Sequence, residues 1–346
     1  MKPTDTMHYN RLLVSAFLML SAAFFASAQE KNSINLGFQA RIDYQREYLD
    51  GESLKSDCGF RGQNVSILLD GRVWKKFYYK FRQRLSRPHS DESLFSATDH
   101  LYLAYDMNDR WRFSAGKQSV EVGGYEYDLA PIDVYFLSEY TSNVICYRFA
   151  VNADYRFKNG KDKLTAQFCQ SPAPGGENDL YACNLMWRGT HGRVGTIWSA
   201  NLIEYLPGEY MSYLSLGTRA RFGGFTLSVD VMNRSVIEKM TLMKDFTLIG
   251  KAEYSFGDRL NVFAKASHDS NDLEEGADWC VLPGTHISRV GGGLEYFPLS
   301  NRKLRLHAAF CHSFGENGND EGALQPNQQF FSIGLTWRMN FLSLSR

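Results

Sequence analysis

FSIGLTWRMNF, residues 331–341, alternates between two chemistries without a break. Its odd positions are Phe331, Ile333, Leu335, Trp337, Met339 and Phe341; its even positions are Ser332, Gly334, Thr336, Arg338 and Asn340. Successive side chains of a strand point to opposite faces, so this segment has one wholly apolar face and one small or polar face. It is long enough to cross a bilayer at a tilt, and aromatic residues sit at both ends. One such strand could belong to a soluble sheet. The case for a membrane barrel is that this chain makes such strands repeatedly.

Read at period two, the chain divides into sixteen strands: 33–47, 59–73, 77–87, 99–107, 111–118, 144–157, 163–170, 180–188, 193–203, 212–222, 225–233, 245–256, 259–267, 287–297, 303–312 and 329–341. Short connections made of turn residues, such as Lys158-Asn159-Gly160 and Gly223-Gly224, alternate with longer ones at 48–58, 88–98, 119–143, 171–179, 204–211, 234–244, 268–286 and 313–328. Short turns at one rim and long loops at the other predict an all-β fold, a transmembrane antiparallel up-and-down β-barrel. The even count places both termini at the short-turn rim.

The N-terminus fits that destination. Lys2 and Arg11 precede an apolar run from Leu12 to Phe25, which ends in Ala26-Ser27-Ala28 before Gln29. This is the layout of a secretory signal over residues 1–28, leaving 29–346 as the mature barrel. Beyond Gln29 no stretch has the apolar length of a membrane helix. With 44% hydrophobic residues and a mean hydropathy of −0.35, a window scan would class the chain as soluble. Barrel strands give that result because their two faces average out. Without residues 1–28 the chain holds 36 basic against 37 acidic side chains, so net charge is silent about ligand sign and its distribution must speak instead. Cys58, Cys146, Cys169, Cys183, Cys280 and Cys311 show no CxxC pair or metal spacing. Those predicted in strands read as small apolar fillers.

Alternation assigns the faces. In the first strand Ile34, Leu36, Phe38, Ala40, Ile42 and Tyr44 point to lipid, while Asn35, Gln39, Arg41, Asp43 and Gln45 point inward. Arg219 and Arg221 of the tenth strand, Lys251 and Glu253 of the twelfth, and Arg305 and His307 of the fifteenth also point inward. Charge on the lipid face costs about 2–4 kcal/mol at the midplane, so the facing is enforced. Sixteen strands enclose more room than their side chains fill, which predicts a water-filled lumen.

Two features of that lumen stand out. Lys80, Arg82 and Arg84 rise along the third strand, with Arg72 across the turn. Such a basic ladder favours anions, unless the lumenal carboxylates Asp43, Asp70, Asp106, Asp154 and Glu253 merely balance it. On closure Arg338 should lie beside Arg41 and extend the basic wall. The connection 119–143 is long and aromatic, and is expected to fold back into the barrel, with Tyr125, Tyr127, Asp128, Asp133 and Tyr135 lining a constriction. It carries Glu121, Glu126, Asp128, Asp133 and Glu139 but no Lys or Arg.

The chain resembles the phosphate-selective porin O and P family. The resemblance is carried by DGRVWKKFYYKFRQRL (Asp70 to Leu85), GKQSVEVGGYEYDLAPIDVYF (Gly116 to Phe136) and RVGGGLEYFPL (Arg289 to Leu299). It implies a sixteen-stranded diffusion porin of a Gram-negative outer membrane, of the Bacteroidetes-type form and often trimeric. Its partners would be outer-membrane lipid and lipopolysaccharide, and its basic lumen would pass small anionic solutes such as phosphate. The pore-lining cations would be Arg41, Arg72, Lys80, Arg82, Arg84, Arg219, Arg221, Arg305 and Arg338. The family pattern has a basic inward loop, and here the loop is acidic. A plugged, non-conducting barrel used in surface binding or adhesion is the alternative. No catalytic set, metal-ligand spacing, cofactor motif or nucleic-acid patch is legible. The acidic loops Asp269 to Asp278 and Glu316 to Glu321 read as solvated rather than cation-binding.

Overall fold

The computed structural model describes residues 32–86, 95–176, 179–273 and 278–345; the expected signal segment, residues 1–28, and most of the 88–98 loop lie outside them. Sixteen long strands follow one another: β1 (Ser33–Leu49), β2 (Gly59–Val73), β3 (Phe77–Arg84), β4 (Thr98–Asp106), β5 (Trp111–Ser119), β6 (Tyr147–Arg156), β7 (Asp162–Gln170) and β8 (Tyr181–His191) form the first half. The second half is β9 (Val194–Leu206), β10 (Glu209–Phe222), β11 (Phe225–Val236), β12 (Asp245–Phe256), β13 (Leu260–Asn271), β14 (His286–Tyr296), β15 (Leu304–Glu316) and β16 (Gln328–Ser345). Each pairs antiparallel with its sequence neighbour, and β16 pairs with β1 to close the ring. Closure gives every strand a partner on both sides, the condition for a sheet to exist in hydrocarbon.

The alternation deduced from sequence holds on the wall. Leu101, Leu103, Leu185, Leu214, Leu248, Leu306, Phe310 and Ile333 are exposed on the outside, whereas inward Gln39, Asp43, Ser66, Asn184, Asn201, Thr247, Ser332 and Thr336 are buried. A soluble fold has the reverse distribution. Ala40 faces out as predicted but is covered, since it sits between Val65 and Trp337 on the neighbouring strands.

Of the boundaries that differ from expectation, three bear on the loops and the seam. The predicted loop 204–211 is a tight turn at Pro207-Gly208, because β9 and β10 stay paired to Leu206 and Glu209. Here Gly208 adopts φ +78°, the conformation the turn requires. Strand β6 begins at Tyr147, leaving Cys146 on the returning end of the inward loop. Strand β16 runs past Phe341 to Ser345. A bulge at Phe341 makes this possible: Gly37 opposes Asn340, but Leu36 opposes Leu342. The extra residue resets the parity, so Leu342 and Leu344 stand beside Leu36 and Ile34 on the lipid face. All six cysteines are free thiols, and the inward Cys169 and Cys311 are buried.

The seam of the barrel therefore depends on the tail. Residues from Arg338 to Ser345 pair with Ser33 to Gln39, the first part of β1. A chain ending at Trp337 should fail to close. It should lose both outer-membrane insertion and the heat-modifiable mobility of a folded barrel in SDS. Normal insertion of that truncation would show that the bulged segment is dispensable.

The larger apolar cluster lies inside the barrel, and a smaller one joins Phe136 to Phe263, Ala309 and Cys311 on β13 and β15. Inward Ala150, Cys169, Ala182, Ile203, Met211, Tyr213 and Met232, near the long-loop ends of β6 to β11, receive Val120, Val122, Tyr140 and Val144 of the inward loop. Cys280 and Val281 of the connection between β13 and β14 complete the larger cluster.

Candidate functional site: the lumen and its inward loop

Residues 120–146 leave β5, enter the barrel and cross it against the wall of β7 to β16. The entry is a glycine pair. The Gly123 N–H donates to Ser199 Oγ at 2.8 Å, and a Cβ at Gly123 would come within 2.8 Å of the Ile197 carbonyl. Gly124 adopts φ +105°, which an L side chain rarely tolerates. The Tyr125 and Glu126 N–H groups then donate to the two oxygens of Asp230, each at 2.8 Å.

Glu126 is the neck of the loop. Its buried carboxylate pairs with Lys265, and it accepts from the hydroxyls of Ser138 and Thr141, both at 2.6 Å. Ser138 caps the single helical turn Glu139–Asn143, accepting from the Thr141 N–H. The first two N–H groups of that turn donate to Asp269. Outgoing and returning limbs are thus tied to each other and to β11 and β13. Asp230→Ala would leave two buried N–H donors without an acceptor, at about 1–3 kcal/mol each. We expect that variant to show flickering single-channel current and a lower temperature of unfolding in SDS. Quiet traces with an unshifted unfolding temperature would refute the anchor.

Between the limbs, the tip is held by arginines of the far wall. Arg305 donates to the Ile132 carbonyl at 3.0 Å and to Asp133 at 2.8 Å, and Arg338 reaches Asp133 at 2.6 Å. Arg41 donates to the Val134 carbonyl, and its Nε pairs with Asp43 at 2.9 Å. Asp43 also meets His307 at 3.0 Å. The Tyr135 ring lies between Arg41 and Arg305, 5.2 and 5.4 Å from their guanidinium carbons, and its hydroxyl donates to Glu295. Lys265 donates to the Phe136 carbonyl at 2.6 Å and Arg289 to the Leu137 carbonyl at 3.3 Å. On the other flank Asp128 pairs with Arg188 at 2.7 Å, and Arg219 packs over the Tyr125 ring at 3.8 Å.

This accounts for the loop's acids. Glu126, Asp128 and Asp133 are paired with cations of the wall, Glu121 lies 3.9 Å from Arg188, and Glu139 accepts from the Leu324 N–H at 2.7 Å. Tyr125 and Asp133 therefore face the wall, whereas Tyr127, Asp128 and Tyr135 border open space. That space is a cavity of about 1480 Å³ between the loop and the wall of β1 to β6.

Arg41, Lys80, Arg82 and Arg84 border the cavity from the wall. Arg82 and Arg84 share one carboxylate, Asp99, at 2.8 and 2.7 Å, and both lie over the Tyr147 ring. Among the described residues Lys80 forms no salt bridge; its cross-strand neighbours are Asp70 and Tyr102. Arg72 is not part of this cluster. It lies at the short-turn end and pairs with Asp106 at 2.8 Å, a carboxylate it shares with Arg112. Arg338 stands opposite Gln39 rather than Arg41, one inward position nearer the short-turn rim. Arg219 and Arg221 lie on β10 across the barrel from the ladder, and Arg305 belongs to the clamp on Asp133.

Sequence reasoning did not single out Asp230, Lys265 or Tyr147. The inward parity of Asp230 and Lys265 was legible, but their partners are backbone and side-chain groups more than a hundred residues away.

Residues 34–197 match the family described as phosphate-selective porin O and P, a span that includes the ladder and the inward loop. That span is a little under half of the chain, and it is where the likeness to the family lies. No sequence among curated proteins matches this chain. Its fold is shared by solved porins of low identity. The anion-selective porin from Comamonas acidovorans is 9% identical with a TM-score of 0.64, covering 89% of this chain and 100% of the other. Salmonella typhi OmpF, in complex with daunomycin, is 12% identical with a TM-score of 0.62, covering 88% and 97%. The outer membrane channel DcaP of Acinetobacter baumannii is 11% identical with a TM-score of 0.62, covering 90% and 99%. The porin is thus an outer-membrane channel of a Gram-negative bacterium, and family and neighbours point to a channel rather than an enzyme. In barrels of this kind the short-turn rim, where β1 begins and β16 ends, is the periplasmic side.

Proposed function

We propose that this porin is a diffusion channel for small hydrophilic solutes with a preference for anions, phosphate among them. One observation carries the reading. The acids of the inward loop are paired with the wall or hydrogen-bonded within the loop region, whereas Lys80, Arg82 and Arg84 border the cavity against the single carboxylate of Asp99. The field in the passage is therefore set by a basic wall, although the loop is acidic in sequence. In a pore, rows of Arg and Lys raise the local concentration of anions.

The plugged-barrel alternative predicts no ohmic current. Purified porin in a planar bilayer, under a gradient of potassium chloride, discriminates the readings. Steady conductance with a zero-current potential of the sign set by chloride supports the anion channel. Absence of conductance would instead favour a closed barrel in surface binding. The family resemblance further proposes a homotrimer in lipid and lipopolysaccharide, which the native mass of the detergent-extracted protein would check.

A further inference from the structure

Within the anion reading, on which this inference rests, we propose that the passage favours anions with a flat apolar portion, such as aromatic carboxylates, over compact hydrated ones such as phosphate. The two sides of the cavity differ in chemistry. One side carries Lys80, Arg82, Arg84 and Arg41. The loop side presents Tyr127, Leu129, Ala130, Pro131, Val134 and Leu137, and its carboxylates are occupied: Asp128 is held by Arg188, Glu126 by Lys265, and Glu121 lies 3.9 Å from Arg188.

The loop's backbone does not make up for this. The N–H groups of Asp128, Leu129 and Asp133 are bonded within the loop, to the carbonyls of Gly124, Glu126 and Ala130. Pro131 has no N–H to give. The carbonyls of Ile132, Val134 and Phe136 are turned to Arg305, Arg41 and Lys265. An anion is selected through a narrow passage when polar groups replace the water it sheds. Phosphate, with charge on all sides, would find donors on one side and apolar surface on the other, and uncompensated desolvation is costly.

A carboxylate attached to a ring matches both sides at once. Its charged end meets the ladder while its ring lies along Tyr127, Leu129 and Pro131. The ladder itself has an aromatic floor. The Tyr147 ring sits 5.3 and 5.7 Å from the Arg82 and Arg84 guanidinium carbons, and His100 meets its edge at 5.2 Å. His100 borders the cavity, is 7% exposed, and its Nδ1 has no hydrogen-bond partner among the described residues. The cavity's volume, about 1480 Å³, exceeds what a ring compound needs.

Acetate and benzoate share a carboxylate and differ by a ring. In water benzoate diffuses more slowly, so a hole without contacts ranks acetate first. Bi-ionic reversal potentials across the full-length porin in planar bilayers, with potassium acetate, benzoate and phosphate, should rank benzoate first. The expected benzoate-to-acetate ratio is about fivefold, equivalent to covering roughly 40 Å² of ring face. Phosphate should come last. The double variant Tyr127→Asn, Leu129→Asn should bring that ratio below one. A channel that prefers chloride to potassium but ranks acetate or phosphate above benzoate overturns this inference and leaves the anion reading standing. A channel that prefers potassium overturns both.

Discussion

Replacing residues 127–137 by a short glycine–serine linker should raise single-channel conductance severalfold, the largest change expected of any alteration to this porin. The segment removed is the part of the loop that stands between the basic wall and the rest of the lumen. The cut spares the neck. Ser138 remains bonded to Glu126, which keeps its pairing with Lys265 and its backbone bond to Asp230. The apolar seat of Val120, Val122 and Tyr140 is also untouched. The deletion has an electrostatic consequence as well. Arg338 loses Asp133, Arg41 loses the Val134 carbonyl, and Arg305 keeps only Glu295 as a charged partner. The shortened channel should therefore be wider and also more anion-selective. Unchanged conductance in planar bilayers would mean that the narrowest point lies elsewhere.

The barrel was legible because period-two patterning is enforced residue by residue: a charge on the lipid face has no compensation, so no strand can hide its facing. Phe331 to Phe341 displays this most openly. Its continuation was illegible because Phe341, Leu342 and Leu344 break the alternation, and only the pairing with Leu36 and Gly37 reveals a bulge. The inward course of residues 119–143 could be inferred from their aromatic content, since such a loop is poorly placed in open water. Where it would seat was encoded more quietly, in apolar residues at inward positions: Ile203, Met211 and Tyr213 belong to the lumen by parity yet are buried there. The charge pairing of the site could not be read. Arg72 and Lys80 look alike in sequence, but one ends beside Asp106 and the other beside open space. Asp133 is separated from Arg305 by 172 residues and from Arg338 by 205. Such pairs follow from which strands close the ring and how far the loop crosses it.

Changing Lys80, Arg82 and Arg84 together to Gln should reverse the channel's ion preference. Side chains two apart on a strand are about 7 Å apart, inside the roughly 8 Å Debye length of physiological salt, so the three cations act jointly on a passing ion. The two arginines share one carboxylate, Asp99, which is nearly covered and accepts from both, while Lys80 stands outside that pairing. The three cations and Asp99 together carry two positive charges. The triple variant leaves Asp99 bare, and the cluster swings to one negative charge. The reversal potential under a potassium chloride gradient should move toward potassium, and further at 10 mM salt, where the Debye length is about 30 Å. A buried carboxylate stripped of its partners is also destabilising, by about 3–5 kcal/mol. Adding Asp99→Asn separates the two effects. The quadruple variant should regain resistance to SDS and show weak selectivity of either sign, since the neutral wall no longer competes. If the triple variant folds and its reversal potential matches that of the parent, the ladder is structural. The field in the passage would then be set elsewhere on the lumen wall, with Arg188, Arg219 and Arg221 the next cations to neutralise.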